Sequence, residues 1–465
     1  MKDLIRRFEN PGSEYRGKPF WAWNGELKEP ELRRQIRVMK HMGLGGFFMH
    51  SRVGLATPYL SEEWFGLVRA CIDEAGKCKM EAWLYDEDRW PSGAAGGLVT
   101  KEVRYRQRHL RLAIHKPSQF NWDDEVLCAF TGNLKGAEVH DLKPLTRNKK
   151  PGSSGVVLAF RRVVAEPSPW FNGATYLDTL SQSAVNKFIQ TTHEKYAETI
   201  GTAFGNTVPG IFTDEPNYGR HDEVHDPGDR TIAAWDFPWT DSLPRFFEEK
   251  YGYSIIEHLP ELFFDVDGVE VSKARHHYHD CITEMFVKAF AKSIGDWCAS
   301  HNMLHTGHIL CEESLTSQTF VVGSAMRFYE HMQAPGIDNL MENNYEFDTA
   351  KQCASVVRQT GKKWMLSELY GCTGWDFPFE GHKADGNWQA VLGVNLRCPH
   401  LSWYTMLGQA KRDYPASISF QSPWWKCYSK VEDYFARINV ILAQGKPIRS
   451  VVGSHPLESA WVLFR

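Results

Sequence analysis

Residues 210–216, Gly-Ile-Phe-Thr-Asp-Glu-Pro, decide how the rest of this 465-residue chain is read. Ile211 and Phe212 are the apolar part of a short buried strand. Pro216 has no backbone donor and cannot continue a central strand. The strand therefore stops where Asp214 and Glu215 begin. Acids at the carboxyl end of a buried strand are where a barrel or doubly wound enzyme keeps its chemistry. A turn capped by Asp214 with a solvated Glu215 has the same local signature, so the place of this strand in the whole chain has to decide.

Upstream, residues 19–23 (PFWAW) are rich in strand formers, and 29–42 carry Leu32, Ile36 and Met39 at helical spacing. Residues 45–50 (GGFFMH) form a second strand, and Ser61 opens a helix through Trp64, Val68 and Ile72. A third strand over 80–85 ends on Asp86, Glu87 and Asp88. Three β-then-α units in succession imply a parallel sheet. The alternating runs HLRLAIH, EVLCAF and GVVLAFRRVV then predict an inserted antiparallel β subdomain over about 105–167. A helix over 181–200 leads to 210–216, which becomes the fourth strand.

Downstream, 217–279 is a long aromatic and polar loop with a helix near 243–251, expected to build one wall of a pocket. Further strands are predicted at 304–310, 336–341, 364–369 and 400–406, with helices at 281–299, 349–359 and 388–396. Eight units point to an α/β fold of the (β/α)8 TIM-barrel type spanning 1–443. A helix over 431–442 and the linker Gln444-Gly445-Lys446-Pro447 follow. Residues 449–464 read as the start of a C-terminal α/β domain that stops within a strand, with 444–465 as linker and truncated start.

Composition narrows the function. Hydrophobic content of 42% and charged content of 24% are those of a globular protein. A net charge of −4 without any Lys/Arg run argues against nucleic acid and anionic membranes as partners. The start, MKDLIRRFEN, lacks an apolar h-region, and no apolar run reaches membrane-spanning length. Ten cysteines without a CxxC pair argue against a zinc ribbon or disulfide scaffold, and are read as reduced thiols of a cytoplasmic protein. Aromatic residues make up 13% of the chain, with 17 Trp. Ring faces without a basic background suit sugars, although most of these Trp are expected in the core.

On the eight-strand count, the strand ends carry Trp23 and Asn24, His50, Asp86, Asp214 and Glu215, His305 and His308, Asp338, Glu368, and Trp403. Acids, rings and hydrogen-bonding groups without a nucleotide loop describe a site for a neutral polyhydroxylated ligand. Glycosidic bonds are cleaved by two carboxyl groups, which makes Glu215 and Glu368 the expected catalytic pair. Trp375 and Trp403 are candidate stacking platforms or core residues. His50 and Asn24 either reach sugar hydroxyls or make structural hydrogen bonds. Asp86, Glu87 and Asp88 bind substrate or calcium, or form a solvated turn. His305 and His308, three apart on a strand, point to opposite faces and are not a metal pair. They are read as sugar contacts or core residues, and no metal site is assigned.

The two glutamates after strands four and seven resemble the large clan of TIM-barrel retaining glycosidases, with Asp214-Glu215 where that clan usually has Asn-Glu. The stretches SELYGCTGWDF, WQAVLGVNL, HLSWYTM and KRDYPASISFQSPWW, with PFWAWNGEL and GGFFMHSRVGL near the start, resemble glycoside hydrolases related to family 106 α-L-rhamnosidases. ILAQGKPIRSVVGSHP is similar to the junction between barrel and second domain in family 42 β-galactosidases. The family-42 resemblance implies retention, with Glu215 as acid/base and Glu368 as nucleophile. The family-106 resemblance implies inversion, with a calcium ion holding the sugar hydroxyls. Retention without a cofactor is the expectation, in an enzyme that removes terminal sugars from plant or host glycans. The rival classes are a non-catalytic sugar-binding barrel and a metal-dependent barrel hydrolase of non-sugar substrates. Family-42 relatives form trimers, so the resemblance leaves a homo-oligomer open.

Overall fold

The computed structural model describes residues 2–219, 222–225, 233–342, 346–408, 414, 416–445 and 447–464. Sixteen strands are present among them: β1 Phe20–Trp23, β2 Gly46–Ser51, β3 Glu81–Tyr85, β4 Arg108–His115, β5 Val126–Lys135, β6 Glu138–Leu145, β7 Val156–Val164, β8 Gly210–Asp214, β9 Asp222–His225, β10 Ala233–Trp239, β11 Asp265–Val266, β12 Leu304–His308, β13 Ala334–Asp338, β14 Leu366–Leu369, β15 Leu396–Pro399 and β16 Ser402–Trp403.

Nine of these run parallel in the order β15-β14-β13-β12-β8-β3-β2-β1-β16. Since β15 and β16 are successive pieces of one stave, with β15 on β14 and β16 on β1, the sheet closes into an eight-stave barrel. Its strands are buried on both faces, as parallel strands are when helices cover them. Phe20, Phe48, Trp83, Tyr85, Phe212, Leu366 and Leu396 fill the interior. The alternate residues Trp21, Phe47, Leu84 and Ile211 face the surrounding helices. In β12, Gly307 sits at φ +120°, and a Cβ there would meet the Thr213 carbonyl oxygen at 1.9 Å. Only glycine lets β12 lie this close to β8.

Local signals account for the helices. Ser61 accepts a hydrogen bond from the Trp64 amide and starts the helix Glu62–Cys78 with two acids in its first turn. Leu32, Ile36 and Met39 bury one face of the helix Glu29–His41. The helix Ser429–Leu442 is pinned to the barrel by a buried ion pair, Arg397 Nη1 to Glu432 Oε1 at 3.0 Å.

Several boundaries differ from the sequence reading. The helix expected at 388–396 is Phe379–Leu392, so the eighth stave begins at Leu396 rather than 400. The helix expected over 181–200 is broken at Thr192. The one at 281–299 starts at Lys273 and contains a π-helical stretch, Val287–Lys292. Residues 457–463 are a helix rather than a strand, with Trp461 buried and Arg275 Nη1 donating to the Val462 carbonyl at 2.9 Å. Lys446 of the expected linker lies outside the described residues.

The two excursions, 105–167 and 217–279, are not separate features. Their strands form one sheet, β11-β6-β5-β7-β4-β10-β9, in which β10 pairs antiparallel with β4. Part of the second excursion, residues 220–221 and 226–232, lies outside the described residues. No helix among the described residues is long and apolar enough to cross a membrane.

Candidate functional site

Two ladder registers assemble the centre of the site. Asp214 on β8 lies opposite His308 on β12, and Asp338 on β13 lies opposite Glu368 on β14. In a closed parallel barrel these positions share one inward layer at the carboxyl end. His308 is the hub of that layer. Its Nε2 lies 3.2 Å from Asp214 Oδ1, 3.7 Å from Glu368 Oε2 and 3.9 Å from Asp338 Oδ2. Glu215 follows β8 in the left-handed backbone region, φ 46°, a conformation that costs a non-glycine residue of order 1 kcal/mol or more. Its amide donates to the His308 carbonyl at 3.1 Å, which holds the turn. Arg52, Trp90, Asp214, Glu215, Asp338, Leu340, Glu368, His400 and Tyr414 line a pocket of about 110 Å³ here.

Burial and crowding set the protonation. Burial, then the charges of Asp214 and Asp338, push Glu215 up to about 8. Burial and the Asp338 charge likewise hold Glu368 well above the usual carboxylate range. Asp338 rises to about 6 through burial, against the pull of His308. Burial opposes the charge on His308, yet Asp214, Asp338 and Glu368 hold it well above the ordinary imidazole value. Burial would raise Asp214 too, but His308 outweighs it and brings that acid below normal. One imidazolium thus faces several carboxyl groups that cannot all ionise, and they titrate as a set.

Of the residues singled out from the sequence, the pocket brings together Glu215, Glu368, Asp214 and Asp338, with His308 beside them. His50 stacks on Tyr85 (3.9 Å, 13°) one layer below and lies 3.8 Å from Asp214. Tyr85 Oη donates to Asp214 at 2.6 Å. The other candidates stand elsewhere. Trp23 points outward and packs edge-on against Trp64 at 4.9 Å, so it is core and no sugar contact. His305 also faces outward, with Nε2 on Thr213 Oγ1 at 3.0 Å. Asn24 pairs with the backbone of Thr405 through both amide atoms, 3.0 Å each. Trp403 is buried in the barrel interior, and the more exposed Trp375 meets its edge at 5.6 Å. None of the described residues of 217–279 lines the pocket, contrary to the wall expected there.

The acid triplet is not a solvated turn. Asp86, Glu87 and Asp88 are all buried. Asp86 faces out of the barrel, away from any substrate, and accepts from Ser92 Oγ and Thr213 Oγ1 at 2.6 Å each. Glu87 accepts backbone N–H groups of Asp88 (2.9 Å), Gly93 (2.8 Å), Ala95 (2.8 Å) and Gly96. It thereby shapes the loop that presents Trp90. Glu87→Ala would leave these donors without an acceptor and is expected to destabilise the fold by about 3 kcal/mol, measured by urea denaturation. An unchanged midpoint would show that the loop holds itself.

The sequence reading missed His400, Tyr414 and Leu340 as pocket residues, and placed Arg52 and Trp90 at the ends of the second and third strands without giving them a role. Arg52 lies over the Trp90 ring at 4.1 Å and near Tyr414 at 5.6 Å. His400 Nε2 is 3.6 Å from Glu368, and burial with the Arg52 charge keeps its basicity well below normal. The phase Leu396, Cys398, His400 would have marked His400 as inward, had the eighth strand been started four residues earlier.

Two groups of side chains have ligand atoms within 4.8 Å of one another: Asp214, His308 and Glu368, and Glu215, His308 and Asp338. Calcium takes roughly six to eight oxygen ligands, whereas each group offers two carboxyls and one imidazole. Among the described residues, neither group taken singly supplies that many oxygens.

No protein-family model matches the chain. A curated protein of Formosa agariphila, provisionally named a β-glucuronidase, is 21% identical over 525 residues, which cover 97% of this chain and 43% of that protein. The solved rhamnosidase of Novosphingobium sp. PP1Y superposes with a TM-score of 0.69 at 14% identity, over 95% of this chain and 61% of its own. This chain has the fold of that rhamnosidase. A β-galactosidase from the psychrophilic Marinomonas ef1 is a more distant likeness, with a TM-score of 0.48 at 9% identity, over 92% of this chain and 59% of that one. The chain therefore spans less than half of its curated relative and about three fifths of each of these two solved structures.

Proposed function

We propose that this chain is a glycoside hydrolase that removes a terminal sugar, with Glu215 as general acid/base and Glu368 as nucleophile. The observation that carries this reading is the pair of glutamates on one small acidic pocket, at the ends of the fourth and seventh staves, both raised by burial and by the Asp338 charge, Glu215 to about 8. In the first step Glu215 gives its proton to the glycosidic oxygen while Glu368 attacks the anomeric carbon, and the C–O bond to the leaving group breaks. In the second, Glu215 takes a proton from water, the water oxygen displaces the Glu368 ester, and both side chains return to their starting states. Tyr85 and His308 orient the Asp214 carboxylate at the pocket wall and favour its charged form. Trp90 and Tyr414 offer ring faces to the sugar.

The glycosidase names of the relatives support the reaction class. A screen of aryl rhamnoside, galactoside, mannoside and glucuronide tests the proposal, followed by proton NMR of the first-formed anomer. Retention is expected. An inverted first product would recast Glu368 as the base that activates water, and no turnover of any aryl glycoside would remove the reading.

A further inference from the structure

We propose that Asp86 is a positioning residue that sets the backbone carrying Asp214 and Glu215 from behind the barrel wall. Asp86 ends two hydrogen-bond chains. In one, the Asp214 amide donates to Ser92 Oγ (2.8 Å) and Ser92 Oγ donates to Asp86 Oδ1 (2.6 Å). In the other, Thr213 Oγ1 donates to Asp86 Oδ2 (2.6 Å). Because the Thr213 hydrogen is committed to Asp86, the contact at 3.0 Å between His305 Nε2 and Thr213 Oγ1 requires His305 to carry its proton on Nε2 and to donate. Backbone bonds close the clamp: the Asp86 amide donates to the Phe212 carbonyl (3.1 Å) and the Ser92 amide to the Asp214 carbonyl (2.8 Å).

Burial holds Asp86 well above the usual carboxylate range while the Ser92 and Thr213 hydroxyls pull the other way; in its ionised form the side chain accepts from both hydroxyls, one at each oxygen. Asparagine has the same shape but one acceptor and one donor group. In the Asp86→Asn variant, one hydroxyl hydrogen, of Ser92 or of Thr213, loses its acceptor in a site without water access, a costly arrangement. The Thr213–Glu215 turn relaxes by rotating that hydroxyl away. Glu215 is the next residue along and already sits in a left-handed conformation, so a shift of Asp214 moves its carboxyl directly. Asp86 touches no substrate, being fully buried among Ser92, Thr213 and His193 on the outward side.

The inference rests on the assignment of Glu215 as the acid, and the test separates the two. Asp86→Asn, in the whole chain, is expected to lower kcat by on the order of tenfold to a hundredfold. The loss should be larger for alkyl than for nitrophenyl leaving groups, with KM within a factor of about two. In a Glu215→Gln background the same change is expected to cost less than about threefold, because its effect passes through Glu215. Peptide-level hydrogen exchange should speed up for the segment holding Thr213–Glu215 and stay unchanged in β13 and β14. Full, independent multiplication of the two losses, or unchanged exchange at that segment, overturns the proposal. Should Asp86→Asn fail to fold, Ser92→Ala interrupts the same chain and is held to the same outcomes. Wild-type turnover by Glu215→Gln would instead overturn the acid assignment, while the exchange measurement still decides the role of Asp86.

Discussion

Glutamine in place of Glu368 is expected to lower kcat by about 10³-fold or more on every substrate, activated or not. The amide keeps the shape of the side chain and its place opposite Asp338, so binding and folding should change little. It has no ionisable oxygen to attack the anomeric carbon or to activate water, so neither a retaining nor an inverting route survives. KM within a few-fold of wild type, with an unchanged thermal midpoint, would separate lost chemistry from lost structure. Residual kcat above about a tenth of wild type would exclude Glu368 from the reacting pair.

Glu215→Gln should behave differently. Loss of a general acid costs about 10² to 10⁴-fold where the leaving group needs a proton, and much less where it leaves as a stable phenolate. The pH profile carries the sharper signature. A carboxyl raised to about 8 is protonated below that pH and ionised above it, so acid assistance is present at neutral pH and fades as pH rises through about 8. The basic limb of kcat/KM should fall there in the wild type and vanish in Glu215→Gln. The acid limb reports ionisation of Glu368, and since burial and Asp338 raise that group too, it should lie above the ordinary carboxylate range. A basic limb that persists in the variant would assign the acid to another group of the set around His308.

The staves of the barrel were legible because each is a short apolar run bounded by glycine, proline or acids, and eight such runs between helical stretches have few other solutions. Position along a strand was legible as well: Glu215 and Glu368 were picked out for lying at strand ends, and Glu215 directly follows β8 while Glu368 is the last residue but one of β14. Phase was not. In an open antiparallel sheet a polar residue marks the wet face, but here both faces of each strand are dry, so nothing in PFWAW says that Trp23 faces the helices while Phe20 and Ala22 face the interior. A one-residue change of phase moves a side chain from the pocket to the outer layer. Asp86 was misplaced for the same reason, sitting one residue from an inward position, whereas His305 and His308 do face opposite ways, with His305 among the core alternatives given for it. His400 was overlooked because the helix before it was carried four residues too far, and Trp90 was given no role because the acids in front of it resembled a surface turn.

The sheet outside the barrel ties two loops into one object. Strands β4 to β7 come from the loop after β3, and β9 to β11 from the loop after β8, yet β4 and β10 share a full ladder. Neither insertion can be excised as a cassette. Removing 217–279 would strip β10 from β4 and bare an unpaired strand able to recruit a second chain, and removing 105–167 would leave β10 with only β9 beside it. For anyone engineering the mouth of this barrel, the third and fourth loops are one part, to be transplanted together or left alone.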